Sequence, residues 1–372
     1  MKFSIEKNNL YNVLQLLIKA VPSRSTLPII SCALFSIKKN AKLNIRTTDL
    51  EITISIECNI ENSEEGSIAI PINKLLEITS AMPEGKINFS ISDVGKVNIE
   101  CKQGVYTIMG APNEEFPSEP EIENKNTLTI EGKELKNIIN NTSYAASRDD
   151  LKPVLQGVLF QIDEKGFVSV ATDGHRLVKY EKKDVHTPNY KGSIVVPIKF
   201  LTLLNTQLEE ENQAHMIIGD NHIQIKLNNG IITSRIIKDP YPDYDGVIPK
   251  DNTKTLIIDK ESFTDAIKRV SIFSNKSNRQ VALNITENKL TITTEDPENI
   301  TSGKETLDCN YDGEPMTIGY NALYLKDVLQ HQGSGEIKIM LKSPLNAGLF
   351  LPLEQNENEN KTTLLMPIRL ND

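Results

Sequence analysis

Hydrophobic and polar positions follow the same order at three places along the chain. The segments that begin at Lys2, Thr127 and Thr255 each open with alternating apolar residues, which is typical of a strand. Each segment continues with apolar residues at i, i+3 and i+4, the spacing of one helix face. The matching positions are Leu10, Val13 and Leu14, then Leu135, Ile138 and Ile139, then Phe263, Ala266 and Ile267.

A second strand-and-helix pattern recurs inside the same frame. It begins at Gly66 with GSIAIP, at Gly192 with GSIVVP, and in a looser form at Met316. The repeat spacing of about 125 residues is the size of one domain, not of a solenoid repeat. More strand-like runs follow each second helix. The two patterns predict six helices, at 10–21, 72–81, 135–146, 198–208, 263–274 and 321–331.

Proline- and charge-rich stretches separate the copies, as expected at domain boundaries. They are EEFPSEPEIENKN after the first copy and DPYPDYDGVIPKDNTK after the second. We therefore predict an α+β fold of three tandem domains, 1–124, 125–251 and 252–372, each with two helices packed on antiparallel sheets. The polar run Glu354–Lys361 is expected to be a solvated loop before the last strand, and a functional tail is the alternative.

Composition favours a globular cytoplasmic protein. The 372 residues are 38% hydrophobic, which suffices for buried cores. No apolar run has the length of a membrane span, and the first residues lack the pattern of a secretory signal. Four scattered cysteines predict free thiols in a reducing compartment: Cys32, Cys58, Cys101 and Cys309.

Charge is divided unevenly between the predicted helices and the rest of the chain. The net charge is −9, yet the helices carry seven Lys or Arg against three Asp or Glu. A basic surplus on the helix faces suits binding to a polyanion, although ordinary solvated helix faces explain the surplus equally well. The chain has no helix-turn-helix or zinc-finger pattern and no tryptophan. Any nucleic-acid contact is therefore expected to be to phosphates and independent of sequence.

Chemistry-bearing residues stand together in the motif ATDGHRL, residues 171–177. A nucleophilic site needs Ser or Cys on a strained turn, and a zinc site needs ligands at HExxH or similar spacing; neither pattern occurs. An enzyme that uses Asp173 and His175 remains one alternative. Asp-Gly is a strong turn dipeptide, so we interpret the motif as a turn with Gly174 at positive φ. A weaker form recurs at 44–54, without the inserted Gly-His-Arg.

Several motifs together resemble one family. They are the triple repeat, TLPII after Arg24, ATDGHRL, FPSEP, YPDY and LLMPIRL, and they closely resemble the bacterial sliding clamp, the β subunit of DNA polymerase III. The resemblance covers essentially the whole chain. It implies a head-to-tail homodimer that closes into a six-domain ring, with strands outside and twelve helices around duplex DNA. It also implies a non-catalytic processivity factor without cofactor or metal, whose weak DNA contacts permit sliding.

The resemblance further implies that ATDGHRL is one wall of a pocket for short peptides of the Gln-x-x-Leu-Phe type. The DNA polymerase III α subunit, the clamp loader and other factors would carry these motifs. An apolar cleft with a few polar groups suits such ligands. By position, the pocket residues are Leu155, Thr172, Gly174, His175, Arg176, Leu177, Pro242, Val247, Asn321, Tyr324, Leu345, Leu364, Leu365, Met366, Pro367, Ile368, Arg369 and Leu370.

The same resemblance assigns DNA and dimer contacts. The DNA-binding residues would be Arg24, Lys19, Arg148, Lys152, Lys199 and Arg269, and the dimer residues Lys74, Tyr106, Ile108, Ile272 and Phe273. Core packing explains the last two equally well. Two departures stand out: Gly246 replaces a residue that is often basic, and Pro153-Val154 replace aromatic residues near DNA in some relatives. A peptide-binding adaptor that does not encircle DNA is the remaining alternative.

Overall fold

The computed structural model describes residues 1–38, 42–185, 190–333 and 335–370. These ranges contain six α-helices and twenty-six β-strands, and every sheet pairing given between neighbouring strands is antiparallel. None of the helices in the described ranges is both long and apolar enough to span a bilayer. The predicted α+β fold of three similar copies, each with two helices, is confirmed. The boundaries 1–124, 125–251 and 252–372 stay a prediction, and residues 371–372 lie outside the described residues.

The first copy has nine strands and two helices. In chain order they are β1 (Lys2–Glu6), α1 (Lys7–Leu17), β2 (Cys32–Ile37), β3 (Lys42–Thr48), β4 (Ile52–Asn59), β5 (Glu61–Glu64), β6 (Gly66–Pro71), α2 (Ile72–Ala81), β7 (Lys86–Ile91), β8 (Lys96–Cys101) and β9 (Gly104–Met109).

The second copy has eight strands and two helices. They are β10 (Asn126–Glu131), α3 (Gly132–Thr142), β11 (Gly157–Asp163), β12 (Gly166–Thr172), β13 (Arg176–Lys182), β14 (Gly192–Pro197), α4 (Ile198–Asn205), β15 (Gln213–Ile218), β16 (His222–Leu227) and β17 (Gly230–Arg235).

The third copy has nine strands and two helices. They are β18 (Lys254–Asp259), α5 (Lys260–Ser271), β19 (Gln280–Thr286), β20 (Lys289–Asp296), β21 (Thr301–Asp308), β22 (Asn310–Asp312), β23 (Met316–Asn321), α6 (Ala322–Gln330), β24 (Glu336–Leu341), β25 (Gly348–Pro352) and β26 (Glu359–Leu365).

The first helix of each copy begins three residues before the position that apolar spacing predicted. Helices α1, α3 and α5 start directly after the acidic residue that ends the preceding strand. Among these three acidic residues, only Asp259 caps its helix with its side chain, which accepts a 2.8 Å hydrogen bond from the backbone N–H of Ser262. Glu6 and Glu131 make no such bond. The first turns contain mostly polar residues, which an apolar pattern does not register.

The chain divides into two compact units, which cut across the copies. The first unit comprises Met1–Thr129 and Ala214–Ile236, and the second comprises Ile130–Gln213 and Ile237–Asp372. One five-stranded sheet has the order β5-β1-β7-β8-β9, and an eight-stranded sheet has the order β10-β15-β16-β17-β4-β3-β2-β6. The other two sheets belong to the second unit. Their orders are β14-β11-β12-β13-β26-β25-β24-β18-β22 and β21-β20-β19-β23.

One pairing within the nine-stranded sheet joins the second and third copies. Strand β13 pairs with β26 over seven residues, from Arg176 opposite Leu365 to Lys182 opposite Glu359. The two copies therefore share a continuous sheet. The motif ATDGHRL and the LLMPIRL segment lie at the same end of this pairing.

Two expectations about polar positions have different outcomes. The four cysteines are free thiols, as predicted. The prediction of a solvated loop at Glu354–Lys361 was partly wrong, since β26 already begins at Glu359 and Lys361 is only 4% exposed. The run is polar in composition, but its last residue belongs to a buried strand.

Candidate functional site

The turn between β12 and β13 is held by its own side chains. Asp173 Oδ1 accepts hydrogen bonds from the backbone N–H groups of His175 at 2.9 Å and Arg176 at 3.0 Å. Thr172 Oγ1 donates to the Arg176 carbonyl oxygen at 2.7 Å and accepts from the Gly174 N–H at 3.1 Å. Gly174 has φ of 92°, a conformation that glycine adopts without strain. The predicted Asp-Gly turn is confirmed.

The first copy builds the same turn from a different sequence. Asp49 Oδ1 accepts from Glu51 N–H at 3.0 Å and Ile52 N–H at 2.7 Å. Thr48 Oγ1 donates to the Ile52 carbonyl at 3.0 Å and accepts from Leu50 N–H at 3.0 Å. Leu50 has φ of 76° at the position of Gly174. The predicted recurrence of the turn is therefore confirmed bond by bond.

Arg176 is buried on the inner side of its turn. Its Nε donates to Asp173 Oδ2 at 3.1 Å, Nη1 to Asp327 Oδ2 at 2.8 Å, and Nη2 to the Tyr144 carbonyl at 2.8 Å. The guanidinium also lies 4.9 Å from the ring centre of Tyr324. All of these partners are in the second unit. Each of the three guanidinium nitrogen atoms thus donates to a group of the protein itself, and the assignment of Arg176 to a peptide pocket stays a prediction.

A polar cavity of about 620 Å³ adjoins this arginine. His331 stacks on Tyr144 there with ring centres 3.7 Å apart. Burial lowers the pKa of His331, and the positive charges of Lys361 and Arg176 act in the same direction. The other lining residues are Ala146, Ser147, Arg148, Asp149, Lys152, Asp173, His175, Arg176, Tyr324 and Asp327.

His175 lies at the tip of the turn and is exposed. Its ring stacks on Tyr324 at 5.5 Å, and its carbonyl oxygen accepts a 2.8 Å hydrogen bond from the backbone N–H of Met366. Asn321 caps α6, because its side chain accepts from the N–H groups of Leu323 and Tyr324. The structure thus brings His175, Tyr324 and Met366 together from three separate parts of the chain.

The segment after β26 runs along strand β23. Ile368 donates its N–H to the Gly319 carbonyl at 2.9 Å, and a Cβ at Gly319 would lie 2.7 Å from the carbonyl oxygen of Ile368. The glycine therefore permits this close approach. Met366 and Arg369 are exposed, while Pro367, Ile368 and Leu370 are half-buried.

An apolar cluster lies on one face of the nine-stranded sheet, beside the turn. We call it the outer cluster. It joins Leu177 and Leu364, both predicted pocket residues, which lie opposite each other in the β13–β26 pairing. The full set is Leu159, Val170, Leu177, Val195, Ala347, Leu349 and Leu364.

Three predicted pocket residues remain largely exposed in the second unit. Val247 is 58% exposed, Leu345 is 66% exposed and Met366 is 42% exposed. Pro242 is also exposed, and Leu155 is half-buried in the short 3-10 helix Pro153–Gln156. Exposed apolar side chains of this size are suited to contact with a partner.

Leu365 was wrongly expected in the pocket. It is fully buried in the core cluster of the third copy, together with Phe350 and Tyr320. Successive strand residues point to opposite faces, so Leu364 and Leu365 cannot both line one cleft. The same alternation separates Leu177 from Arg176.

Several residues of the site were not predicted from the sequence. Tyr241, Tyr244, Ile248 and Met340 pack against the outer cluster, and Val170 belongs to it. The Tyr244 hydroxyl donates to Gln161 Oε1 at 2.5 Å. The available signal was YPDYDGVIP, a stretch that supplied a family motif and the predicted pocket residues Pro242 and Val247, but whose tyrosines were not assigned to the site.

The first copy has a smaller apolar cluster at the corresponding strands. It comprises Cys32, Ala69 and Phe116 with Leu34 packed against it, and Leu34 pairs with Ala69 as Leu159 pairs with Val195. Matching the two turns aligns Val170 with Arg46 and Leu177 with Thr53, since Thr172 pairs with Leu177 as Thr48 pairs with Thr53. The Arg46 guanidinium instead donates to the Pro117 carbonyl at 2.8 Å and lies 3.6 Å from Glu119. The turn is thus duplicated, but the outer cluster also takes residues from the third copy, such as Leu349 and Leu364, and places Leu177 where the first copy has Thr53.

The residues assigned to DNA lie mostly at the surface. Arg24, Lys19, Arg148, Lys152, Lys199 and Arg269 are all exposed. Arg269 forms two hydrogen bonds with Glu305, at 2.8 and 2.7 Å. Nine Lys or Arg and five Asp or Glu occur in the observed helices, so the basic surplus persists. The assignment to DNA stays a prediction.

The residues assigned to a dimer contact lie beside sheet edges. Strand β9 ends the five-stranded sheet and carries the exposed Tyr106 and half-buried Ile108. Strand β21 ends the four-stranded sheet, and Thr301 at its start donates to the Phe273 carbonyl at 3.4 Å. Ile272 and Phe273 are exposed, so the core-packing alternative was wrong. Lys74 pairs with Glu77 within α2 at 2.7 Å.

Among the described residues, no group of three His, Cys, Asp or Glu side chains is arranged to hold a metal. Asp173 is used by the backbone of its own turn and by Arg176. The arrangement offers an apolar surface, an exposed imidazole and a fixed terminal segment. These features are suited to binding rather than to bond-breaking chemistry.

Comparison with known families defines the class of this fold and site. Models of the DNA polymerase III beta subunit match nearly the whole chain: the N-terminal domain at 1–120, the central domain at 129–243 and the C-terminal domain at 245–369. The chain belongs to the DNA polymerase III beta subunit family.

Individual relatives agree with this assignment. The Beta sliding clamp of Proteus mirabilis is 30% identical over 373 residues, and that of Vibrio cholerae is 29% identical over 372, with 100% of both chains covered in each case. Among solved structures, a DnaN sliding clamp from Pseudomonas aeruginosa bound to griselimycin has a TM-score of 0.90 at 28% identity. The sliding clamp from Bacillus subtilis has a TM-score of 0.92 at 25% identity. Both structural matches cover 100% of each chain.

Proposed function

We propose that this protein is a DNA sliding clamp, a non-catalytic ring that holds a polymerase on duplex DNA. Membership of the beta subunit family supports the proposal. The observation that carries it is the outer cluster beside a preformed turn, bordered by the exposed Val247, Leu345 and Met366. A DNA partner favours the cytoplasm as the location of the protein.

The peptide site would bind Gln-x-x-Leu-Phe motifs of the polymerase α subunit, the clamp loader and other factors. Leucine and phenylalanine side chains of the motif would bury against Leu177 and Leu364, with Met366 adapting its flexible side chain to each partner. His175 would supply polar contacts at the rim. Since the outer cluster combines residues of the second and third copies, which pair through β13 and β26, each chain would carry one such site.

The ring would form from two chains in head-to-tail orientation. Strands β9 and β21 are both sheet edges with apolar side chains nearby, and an unpaired edge is a template for pairing with another chain. A heterologous contact of this type closes into a ring when the rotation permits. The basic surplus of the helices suits nonspecific phosphate contacts around encircled DNA.

A peptide titration tests the site directly. A labelled Gln-Ser-Ser-Leu-Phe peptide should bind the wild-type chain saturably, and the double variant Leu177→Ala/Met366→Ala should lose that binding. Leu353→Ala, another exposed leucine on the third copy, provides the matched control. Binding that survives the double variant would refute this location of the site.

DNA retention separates the clamp from a peptide-binding adaptor. A loaded clamp should stay on closed circular DNA and leave linear DNA through its ends. Molar mass in solution should correspond to two chains. A monomer that binds peptide, or equal retention on both DNA forms, would favour the adaptor.

A further inference from the structure

Arg176 supports the turn from the side opposite the outer cluster. Its neighbour Leu177 points into that cluster, whereas the side chain of Arg176 points to the other face of the strand. Only 8% of Arg176 is exposed, and three of its nitrogen atoms donate hydrogen bonds. The guanidinium is therefore engaged by the protein before any ligand arrives.

The partners of Arg176 belong to three different elements. Asp173 belongs to the turn, Tyr144 to the 3-10 helix Ser143–Ala145, and Asp327 to helix α6. The guanidinium also lies over the rings of Tyr144 and Tyr324, 5.5 and 4.9 Å from their centres. Arg176 thus fixes the distance between the turn and α6.

The groups that face a ligand depend on this distance. Tyr324 lies three residues before Asp327 in α6, so the two side chains share one helix face. His175 stacks on Tyr324 and accepts the hydrogen bond from Met366. Loss of the Arg176–Asp327 contact would free α6 from the turn, and the His175–Tyr324 stack would lose its fixed separation.

We propose that Arg176 is a positioning residue for peptide binding, which acts through His175, Tyr324 and Met366 without touching the peptide. The inference rests on the proposed function. Its physical basis is preorganisation, because the apparent dissociation constant rises as the fraction of binding-competent molecules falls. A turn released from α6 would spend less of its time in the competent arrangement.

This role has a kinetic signature. Loss of a direct contact mainly raises the dissociation rate of a complex. Loss of preorganisation lowers the competent fraction of the free protein, so it lowers the association rate and leaves the dissociation rate nearly unchanged. The two explanations of a weaker complex are therefore distinguishable for the same variant.

The test measures both rates with the labelled Gln-Ser-Ser-Leu-Phe peptide and the full chain. Arg176→Met should lower the association rate about tenfold, as expected when the competent fraction falls to about one tenth. Asp327→Asn, which removes the ion pair at a partly exposed residue, should give a smaller loss in the same direction. The double variant should be less than additive, since both changes remove one interaction. Lys326→Met, which removes the neighbouring cation of α6, should leave both rates unchanged.

A spectroscopic measurement excludes a merely structural effect. In protein labelled at histidine, the ring signals of His175 should shift in Arg176→Met without peptide, because its stacking on Tyr324 changes. If Arg176→Met does not fold, Asp327→Asn carries the same two measurements. A raised dissociation rate with an unchanged association rate would overturn the proposal and make Arg176 a direct contact. The proposal would also be overturned if the wild-type chain binds the peptide and Arg176→Met binds it with the same two rates.

Failure of the proposed function has a different outcome. In that case the wild-type chain would not bind the peptide, or Leu177→Ala/Met366→Ala would bind it normally. The His175 signals of the free protein would still report whether Arg176 positions the turn.

Discussion

Lys182 and Lys361 lie on the paired strands β13 and β26, and both are buried, but their partners differ in charge. Lys182 Nζ lies 2.9 Å from Glu134 Oε2 and 2.8 Å from Glu359 Oε1. Lys361 Nζ instead donates to neutral groups, the Asn141 side-chain oxygen at 2.7 Å and the His331 carbonyl. Two residues of the same type in one strand pair should therefore respond oppositely to substitution.

Replacement of Lys182 should destabilise the second unit. Burial alone would lower the pKa of Lys182, but the hydrogen bonds and charges of Glu359 and Glu134 outweigh it and raise the pKa. Lys182→Met leaves these partly buried carboxylates without their cation, and we expect a loss of about 1–3 kcal/mol in the free energy of unfolding. Urea denaturation at pH 7.5 measures it. Lys191→Met, which breaks an exposed pair with Glu164, should have little effect. Equal stability of both variants would contradict the prediction.

Replacement of Lys361 should change how stability depends on pH. Burial lowers the pKa of Lys361 to about 8, whereas the unfolded chain keeps its proton to about 10.5. Between these values the unfolded state binds more protons, so the free energy of unfolding of the wild-type chain should rise with pH, by at most about 1.4 kcal/mol per pH unit. Below pH 8 the native state carries a buried charge that Lys361→Met avoids.

The variant Lys361→Met should therefore be more stable than the wild-type chain at pH 7, and the difference should shrink toward pH 10. Urea titrations at pH 7, 8, 9 and 9.5 measure this trend. Burial raises the pKa of Tyr144 and Tyr180, so the range ends before tyrosine ionisation in the unfolded chain contributes. A difference that does not vary with pH would contradict the assignment of the effect to this lysine.

Replacement of Leu50 by glycine should stabilise the first unit. Leu50 has φ of 76° and is exposed, so it bears the cost of the left-handed conformation without a buried side chain in return. The gain should be about 0.5 kcal/mol, because relief of about 1 kcal/mol is partly offset by the greater freedom of glycine in the unfolded chain. Leu151→Gly is the control, because Leu151 is exposed and has no positive φ. Thermal unfolding should show a higher Tm for Leu50→Gly only. Equal decreases in Tm for both variants would contradict the prediction.

Arg269 should matter less for DNA binding than Arg24. Glu305 occupies the guanidinium of Arg269 through two hydrogen bonds, so a phosphate would have to displace a carboxylate. Fluorescence anisotropy with a short duplex at several salt concentrations compares the two. Arg24→Met should lower the slope of log affinity against log salt by about one, whereas Arg269→Met should change it much less. The reverse ranking would show that Glu305 releases Arg269 to the DNA.

Much of the fold was accessible from the pattern of the sequence. Apolar spacing gave all six helices, and the Asp-Gly dipeptide gave the turn at Gly174. The predicted helix starts came too late in the chain where the first turn is polar, as at Lys260, where α5 begins. These errors arise because the polar residues of a first turn leave no apolar signal, whether or not a side chain caps the helix as Asp259 does.

The site was less accessible, because side-chain direction depends on strand register. ATDGHRL does not by itself show that Leu177 faces the outer cluster while Arg176 faces Tyr144. Likewise, the run EQNENENK gives no sign that Lys361 is buried, since that follows from its pairing with Tyr180 on a distant strand. Long-range pairing decides both, and composition does not encode it.

The β13–β26 pairing also sets the order of events during synthesis. Residues 176–182 leave the ribosome long before 359–365, so β13 must wait for its neighbour while most of the third copy is still being translated. Until Leu364 and Met366 emerge, Leu177 lacks its neighbour Leu364 in the outer cluster, and the His175 carbonyl lacks the hydrogen bond from Met366. Under the proposed function, a nascent or truncated chain therefore lacks a completed peptide site and would not divert partners from finished molecules.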